Sequence, residues 1–203
     1  MNLFYLISLL WLFPASHSGD GDAGRNDIKW VIQKTSNLNI AGHTNVNSFA
    51  CAVNQYTRPD TITCVYNSER STGVTLKGSL LIDVNAFDCS NRPMTSELKK
   101  TLKQPQYPYL KITFVNLEKM PCPQARNESL KGCVNIEMAG VCKSFEINYE
   151  LLTKSDACIE LIGCRTFCFS DFGLEPPKKM GGIIRVKNEL DVQFHLYIQQ
   201  IKL

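Results

Sequence analysis

The nine cysteines are the residues of this 203-residue chain whose type and spacing could do chemistry. Cysteine side chains form disulfides, bind zinc as thiolates or act as nucleophiles. Structural zinc sites usually take their ligands in closely spaced pairs, but the chain has no C-x-x-C motif, and only Cys158, Cys164 and Cys168 lie near one another. We therefore expect no metal ion and no cofactor, and we interpret the cysteines as candidates for disulfides.

Three pairs of cysteines are placed symmetrically about turn-like segments. Residues at equal distances from a hairpin turn face each other across antiparallel strands with Cβ atoms about 4.5–5.5 Å apart, close to the separation in a disulfide. The spacing therefore favours the disulfides Cys51–Cys64, Cys122–Cys133 and Cys142–Cys168. Cys89, Cys158 and Cys164 remain, and because nine is odd, at least one thiol is free or pairs between chains. The sequence alone leaves the connectivity open.

No arrangement of acidic, basic or nucleophilic residues in the sequence matches a known catalytic motif. Asp171-Phe172-Gly173 spells the metal-binding tripeptide of protein kinases, but the chain has neither their Gly-rich loop nor their H-R-D motif. The G-x-S-x-G, H-E-x-x-H and P-loop patterns are also missing. His195 falls on the polar positions of an alternating segment, which predicts a solvent-facing side chain rather than a base. We therefore predict no catalytic residues and no enzymatic activity.

Alternation of apolar and polar residues predicts that strands make up most of the chain. In the clearest case, every second residue of the segment Leu190–Ile198 is apolar. About ten such segments are joined by short turns, which is typical of an antiparallel barrel or sandwich. One helix is predicted over Thr95–Lys103, because Pro93 precedes it, lysines lie towards its end and Pro105 follows. No repeat or linker divides residues 19–203, so we expect a single domain there.

Residues Met1–Ser18 have the pattern of a secretory signal peptide. Their apolar run, Leu3–Phe13, is much shorter than the roughly 20 residues that a membrane-spanning helix needs, and small residues follow it. We expect cleavage near Ser18 and export to the periplasm or the medium of a protein that is not integral to a membrane. The formal net charge of +3 is too small to indicate binding to nucleic acid or to an anionic membrane surface. Oligomerisation stays open.

Five segments, taken together in their order and spacing, resemble the YceI-like family. They are N-x-x-I-x-G-H-T-N-V-N-x-F (Asn37–Phe49), G-S-L-L-I-D-V-x-x-F-D-C-S-N-R-P-M (Gly78–Met94), L-K-x-x-x-Y-P-x-L-x-I-x-F (Leu102–Phe114), F-G-L-x-P-P (Phe172–Pro177) and G-x-I-x-V (Gly182–Val186). The resemblance implies an exported bacterial protein with an all-β fold. It implies an extended, lipocalin-like antiparallel β-barrel of about eight strands, with one short helix against it. It also implies a long apolar tunnel that holds a polyisoprenoid or fatty-amide lipid.

The wall of such a tunnel would come from apolar residues of the alternating strands. We predict that it includes Phe114, Phe145, Ile147, Tyr149, Val192, Phe194 and Leu196. Polar residues near the barrel mouth, among them Asn45, Asn47, Asn91 and Arg92, could orient a head group or satisfy the backbone of their turns. Two functions stay open. One is a carrier or scavenger of long-chain lipid in the cell envelope. The other is a ligand-free structural or interaction barrel whose cysteines serve rigidity or redox exchange.

Overall fold

The computed structural model of the protein describes residues 25–67, 73–122, 125–155 and 157–202. The predicted signal peptide, Met1–Ser18, lies outside these residues. The helix and strands are, in chain order, β1 (Arg25–Ile32), β2 (Asn37–Thr44), β3 (Ser48–Val53), β4 (Thr61–Asn67), β5 (Val74–Asp83), α1 (Arg92–Thr101), β6 (Tyr109–Leu117), β7 (Asn127–Met138), β8 (Val141–Ser155), β9 (Cys158–Cys168), β10 (Lys178–Lys179) and β11 (Ile184–Lys202). In this described part of the chain, no helix has the length and apolar character needed to cross a membrane.

Eight of the strands close into an antiparallel barrel, which confirms the predicted fold class. They follow one another around the ring in the order β1, β4, β5, β6, β7, β8, β9 and β11, and the pairing of β1 with β11 completes it. In this closing pair Ile28 lies opposite Lys202, and Ile32 lies opposite Ile198. The backbone groups of both strands are therefore satisfied by each other instead of forming a free sheet edge.

Strand β11 pairs with two partners on the same side, and this divides the barrel into two halves. Its first part pairs with β2, where Val192 lies opposite Ile40, and its last part pairs with β1. The partner changes near Ser36, whose hydroxyl accepts a hydrogen bond from the Tyr197 N–H at 3.0 Å. The hairpin β2–β3 thus continues the wall beyond the pair β1–β4. We call the end built with β1 and β4 the packed half, and the end built with β2, β3 and α1 the cavity half.

Large apolar side chains fill the packed half. Trp30 on β1, Ile62 on β4 and Leu161 on β9 are fully buried, and burial of side chains of this kind contributes about 1.5–3 kcal/mol each. Tyr149 on β8 is buried with them. Among the described residues, neither its hydroxyl nor the Trp30 indole nitrogen has a hydrogen-bond partner. Burial raises the pKa of Tyr149 well above its ordinary value, because desolvation disfavours the phenolate.

Helix α1 starts three residues earlier than the sequence pattern indicated. It spans Arg92–Thr101 instead of the predicted Thr95–Lys103. The Asn91 side chain caps it by accepting a hydrogen bond at 3.0 Å from a backbone N–H of the first turn. Pro93 lies inside that first turn, where the missing N–H breaks no helical hydrogen bond. The helix ends before Lys103, whose backbone is left-handed with φ of 53°.

One disulfide joins the barrel to the segment that precedes the helix, but it is not the predicted one. Cys51 on β3 is bonded to Cys89, whereas Cys64 is a buried free thiol. The prediction assumed that β3 and β4 form a hairpin, but β3 pairs with β2, and β4 pairs with β1 and β5. Two backbone hydrogen bonds between Ala52 and Asp88, of 2.7 and 2.9 Å, bring Cys51 and Cys89 together.

The predictions Cys122–Cys133 and Cys142–Cys168 are wrong as well, because Cys133, Cys142 and Cys168 are free thiols. The segment between Cys122 and Cys133 does not form the expected hairpin. Strand β7 begins within it, at Asn127, and pairs with β8, which follows it in the sequence. Strands β8 and β9 do form a hairpin, but their backbone pairing stops before it reaches Cys142 or Cys168. Equal distance from a turn therefore does not bring these thiols opposite each other.

Candidate ligand-binding cavity

Two adjoining cavities lie inside the cavity half. The inner cavity has a volume of about 70 Å³ and lies between helix α1 and the barrel. The outer cavity has a volume of about 140 Å³ and lies between α1, the β2–β3 hairpin and the start of β11. Ile40, Leu98, Phe169 and Leu190 line both of them. The cavities are therefore two compartments of one largely apolar space.

Helix α1 covers this space as an amphipathic lid. Met94, Leu98 and Leu102 are four residues apart, so they lie on one face of the helix and its C-terminal end. Leu98 and Leu102 are buried and line the inner cavity, while Met94 lines the outer one. Lys100 is exposed on another face. The sequence of the helix thus positions its apolar side towards the barrel and its charges towards solvent.

Phe194 forms the floor between the inner cavity and the packed half. Its ring lies over Gly163, the residue directly opposite it on β9, and a Cβ atom at Gly163 would clash with that ring. A glycine is needed there because any side chain would occupy the place of the ring. On the side of the packed half, Tyr149 meets Phe194 edge to face, with ring centroids 5.8 Å apart.

A second aromatic group closes the wall where β8 and β9 are no longer paired. Phe145 packs edge to face on Phe167, with centroids 4.9 Å apart, and lies 5.7 Å from the ring of Phe172. The guanidinium of Arg165 lies 5.1 Å from the Phe145 centroid and donates a hydrogen bond to the Glu146 carbonyl at 2.6 Å. Arg165 on β9 therefore reaches across to β8 and replaces the missing backbone pairing.

Polar side chains seal the wall between β3 and β5. The Leu81 N–H donates a hydrogen bond to the Tyr56 hydroxyl at 3.0 Å, and this hydroxyl donates in turn to the Asp60 carboxylate. The Arg58 side chain lies 3.7 Å from the same carboxylate. Burial and the hydrogen bond to Asp60 raise the pKa of Tyr56 above its ordinary value. This part of the wall is thus closed by side chains instead of a strand ladder.

Polar groups line the outer cavity, in contrast to the inner one. The Thr44 hydroxyl donates a hydrogen bond to the Asn47 side-chain oxygen at 2.7 Å, and both residues border the outer cavity with Glu97 and Lys179. The residues that line the inner cavity include no charged side chain. Lipid sites combine apolar walls with a few polar groups that orient the ligand. The space is therefore apolar on its inner side and partly polar on its outer side.

The structure places two of the seven predicted wall residues, Val192 and Phe194, in the wall of the inner cavity. The other five are buried but line neither cavity, and they are Phe114, Phe145, Ile147, Tyr149 and Leu196. Phe145 lies behind Phe167 and Phe172, which do line the inner cavity. Contact of any of the seven with a ligand stays a prediction.

The predicted mouth residues divide into one that lines a cavity and others that organise backbone. Asn47 lines the outer cavity. Asn45 holds the β2–β3 turn against the start of β11, because its side chain donates to the Ile183 carbonyl and accepts from the Arg185 N–H, both at 2.9 Å. Asn91 caps helix α1, and Arg92 is the first residue of that helix. Of the two roles that the sequence left open, Asn45 and Asn91 therefore have the second, which is to form hydrogen bonds with the backbone of their turns.

Sequence reasoning missed the residues that come from α1 and from the 3₁₀ turn Phe169–Phe172 after β9. Leu98, Leu102, Phe169 and Phe172 all line the inner cavity. A signal for the first two was present, because two leucines four residues apart in a lysine-rich helix predict packing of one face. The turn residues carry no such periodicity, so their position depends on the path of the chain after β9.

The outer surface carries one histidine and one exposed thiol close together. His195 points outwards as predicted, but it is half-buried, stacks on Tyr197 with centroids 4.5 Å apart and lies 3.3 Å from the Glu160 carboxylate. Cys164 is an exposed free thiol nearby on β9. Within the residues that the structure describes, no three His, Cys, Asp or Glu side chains come together as metal ligands.

Solved structures of low sequence identity share this fold. A polyisoprenoid-binding domain from Saccharophagus degradans, implicated in plant cell wall breakdown, matches 84% of this chain and 97% of its own, with a TM-score of 0.59 and 11% identity. BcnA of Burkholderia cenocepacia matches 85% of this chain and 95% of its own, with a TM-score of 0.52 and 14% identity. A mutant of the Campylobacter jejuni YceI protein matches 100% of this chain and 93% of its own, with a TM-score of 0.50 and 13% identity.

These likenesses show that the chain has the fold of the YceI-type barrels, which the sequence resemblance predicted. At identities of 11% and 14% they show the fold and not the ligand. No protein-family model matches the sequence, and no curated protein matches it significantly. One fold can host many functions, so the function depends on the cavity itself.

Proposed function

We propose that the protein binds a lipid and holds its apolar chain between the barrel and helix α1. The observation that carries this proposal is the lining of the inner cavity, which consists of apolar side chains and Cys168. Protein interiors normally fill such space with their own side chains. Here the space instead adjoins an outer compartment with polar groups, which suits a ligand that has both a chain and a head group.

The proposed ligand class is a long-chain lipid of the polyisoprenoid or fatty-amide type. The similar domain from Saccharophagus degradans is described as polyisoprenoid-binding, which supports this class. Burial of apolar surface stabilises by ~25 cal/mol per Å², so a chain of roughly 300 Å² gains about 7 kcal/mol before the costs of association. Each further buried CH₂ group adds about 0.8 kcal/mol, and longer chains should therefore bind more tightly.

Entry of a long chain requires the lid to move. The cavity volumes of about 70 and 140 Å³ are smaller than the roughly 300–1,000 Å³ of typical small-molecule sites. Met94 on α1 and Met138 on β7 line the outer and inner cavities, and the unbranched side chain of methionine adapts easily to a new shape. A shift of α1 away from the barrel, with new rotamers of these methionines, would widen the space.

The proposed place of action is outside the cytoplasm, as a carrier or scavenger of lipid in the cell envelope. The Cys51–Cys89 disulfide supports this, because structural disulfides persist in oxidising compartments. The signal-peptide pattern of Met1–Ser18 supports it independently. The proposed binding unit is the single domain over residues 19–203, and the proposal assigns it no catalytic role, metal or cofactor.

The small volume of the cavities favours a second candidate, a ligand-free structural or interaction barrel. Under this alternative the lid stays closed, and the disulfide and the free thiols serve rigidity or redox exchange. The two candidates differ in one measurable property, which is the uptake of an apolar chain by the inner cavity.

Solvent extraction of freshly purified protein, followed by mass spectrometry, tests the proposal directly. We expect about one equivalent of an isoprenoid or fatty-amide lipid per chain. Protein without lipid that also fails to bind a long-chain fluorophore would favour the ligand-free barrel.

A matched pair of variants locates the site. Val192→Phe adds a ring inside the inner cavity, whereas Val31→Phe adds the same ring on the outward-facing side of β1, between the buried Trp30 and Ile32. Blocking the cavity should weaken fluorophore binding by about tenfold or more, since a misfit of even one methylene costs that much. The Val31→Phe variant should bind like the unmodified protein. Equal affinities of the two folded variants would exclude the inner cavity as the site.

A further inference from the structure

Three large apolar side chains are exposed at the open end of the cavity half. The exposed fraction is 65% for Val46 in the β2–β3 turn, 70% for Met180 and 69% for Ile183, both of which precede β11. Scattered exposed apolar residues are common, but several large ones on one surface mark an interaction site.

Hydrogen bonds hold these residues on one surface. The Asn45 side chain bonds to the backbone of Ile183 and Arg185, and the Asn45 N–H donates to the Arg185 carbonyl at 3.0 Å. The turn that carries Val46 therefore lies beside the segment that carries Met180 and Ile183. We call this surface the mouth patch, and it consists of Val46, Lys178, Met180, Ile183 and Arg185.

The backbone presents Met180 to solvent in an unfavourable conformation. Met180, Gly181 and Gly182 have φ values of 50°, 65° and 95°, so three successive residues are left-handed. Glycine adopts this conformation readily, but it is unfavourable for a residue with a Cβ atom such as methionine. Burial does not offset this cost, because the Met180 side chain is mostly exposed.

Basic side chains surround the exposed apolar ones. Lys178, Arg185 and Lys187 are exposed, and the segment Glu175–Lys187 contains four basic residues against one acidic residue. Within the described part of the chain, none of these three takes part in a salt bridge. The Arg185 side chain instead donates to the Gly182 carbonyl at 2.8 Å. The mouth patch is therefore apolar at its centre and positively charged around it.

We propose that the mouth patch docks the barrel on an anionic lipid bilayer. Exposed apolar side chains partition into the interface of a bilayer, and basic side chains near them bind anionic head groups. In the docked state Val46, Met180 and Ile183 enter the interface, while Lys178 and Arg185 contact the head-group phosphates. The positive charge around the patch favours an anionic bilayer over a bilayer without net charge.

The outer cavity lies directly behind the mouth patch. The outer cavity is lined by Lys179, Ile184 and Val186, which are the sequence neighbours of Lys178, Ile183 and Arg185 in the patch. Lys179 also pairs with Ile184 where β10 meets β11. Docking would thus place the entrance of the apolar space against the lipids, so that a chain passes between bilayer and barrel without crossing water. This transfer rests on the proposed function, whereas the docking itself does not.

Sedimentation with vesicles tests the docking. We expect the mature protein to sediment with vesicles of mixed phosphatidylglycerol and phosphatidylcholine. Its affinity for pure phosphatidylcholine vesicles should be lower by about tenfold or more. High salt should reduce the binding to the anionic vesicles, because it screens the basic side chains.

Two double variants and two controls separate the parts of the patch. Met180→Ser with Ile183→Ser removes apolar contacts, and Lys178→Glu with Arg185→Glu reverses charge. Each should lower the affinity for anionic vesicles by about tenfold or more. The controls Ile201→Ser and Lys77→Glu make the same kinds of change at exposed positions in the packed half, and they should bind vesicles like the unmodified protein.

A soluble long-chain fluorophore, added without vesicles, separates this proposal from the proposed function. The patch variants should still bind the fluorophore while they lose the vesicles, and this result supports the docking. A protein that binds the fluorophore but no vesicles overturns the docking and leaves the lipid-binding proposal intact. Patch variants that bind vesicles like the controls also overturn it. So does a patch whose variants only convert a dimer into monomers, since its partner is then a second copy of the chain.

Discussion

The two halves of the barrel are closed in different ways. In the packed half, β1 pairs with β11 through their backbones, and side chains such as Trp30 fill the interior. In the cavity half, the wall beside β3 is closed by the Tyr56 and Asp60 side chains, by the Cys51–Cys89 disulfide and by a single isolated backbone bridge between Ala52 and Asp88, and α1 covers the interior. A backbone ladder opens only when the strands separate, whereas side-chain contacts and a docked helix open locally. We therefore expect local opening of the barrel to occur in the cavity half.

Phe194 separates the two halves, and its removal should give the largest effect. Phe194→Ala should lower the free energy of unfolding by about 3–5 kcal/mol and extend the inner cavity towards Tyr149. The preferred length of a series of fatty-acid fluorophores should then shift to longer chains. Phe114→Ala is the control, because Phe114 is also buried but lines neither cavity. A similar shift in both variants would contradict the division into halves.

The disulfide should stabilise the cavity half most. Cys51→Ser with Cys89→Ser releases a link across 38 residues, which lowers the free energy of unfolding by about 4 kcal/mol on the chain-entropy model. Hydrogen exchange should show that amides of β3 and α1 open locally, at rates that do not depend on low denaturant concentrations. Amides of the packed half should still exchange only through global unfolding. Local opening spread evenly over both halves would count against the comparison.

Two tyrosine hydroxyls should respond in opposite directions. Tyr56→Phe removes the hydroxyl that links the Leu81 N–H to Asp60 and leaves that N–H only a longer hydrogen bond of 3.4 Å to the Asp60 carboxylate, so the free energy of unfolding should fall by about 1–3 kcal/mol. Tyr149→Phe removes a buried hydroxyl that has no partner among the described residues, so it should raise that free energy by about 1 kcal/mol. Urea unfolding measures both. A Tyr149→Phe variant that is less stable would reveal a partner for this hydroxyl.

The smallest effect should come from Cys64 at alkaline pH. Burial raises the pKa of this thiol, whose ordinary value is 9.0, so above pH 9 the unfolded chain loses a proton that the folded chain keeps. Its contribution to stability is thus complete well below pH 9 and is lost as the pH rises through 9, by about 0.8 kcal/mol between pH 7 and pH 9.5. Cys64→Val should remove this part of the pH dependence, whereas Cys164→Val, at an exposed position, should not. Identical pH profiles of the two variants would refute the assignment.

The alternation of residues predicted which side chains face inwards, but not at which height along the barrel they lie. Val192, Phe194 and Leu196 share one face of β11, yet only the first two line the inner cavity. Height depends on tertiary pairing, because β11 changes partner from β2 to β1 along its length. The same face therefore borders the cavity at one end and the packed interior at the other.

The disulfide depended on contacts that a single sequence does not show. Cys51 and Cys64 are close in sequence, and a hairpin between them was the simplest geometry. The chain instead crosses from one half to the other between β3 and β4, and the free side of β3 meets Asp88. Helix α1 was easier to predict, since Pro93 and the lysines mark it locally. Its start was displaced because the cap at Asn91 lies before the proline.

The pairing of β1 with β11 has a consequence for the kinetics of folding. Ile28 and Lys202 are opposite each other but lie near opposite ends of the described chain. Contacts of such long sequence separation form slowly, because a large loop must close, at a cost in chain entropy, before the contact stabilises the fold. During synthesis the ring also cannot close before residues 198–202 leave the ribosome. If the protein is exported as we propose, this late step would keep the barrel open, and the chain competent for translocation, at least until residues 198–202 have been made.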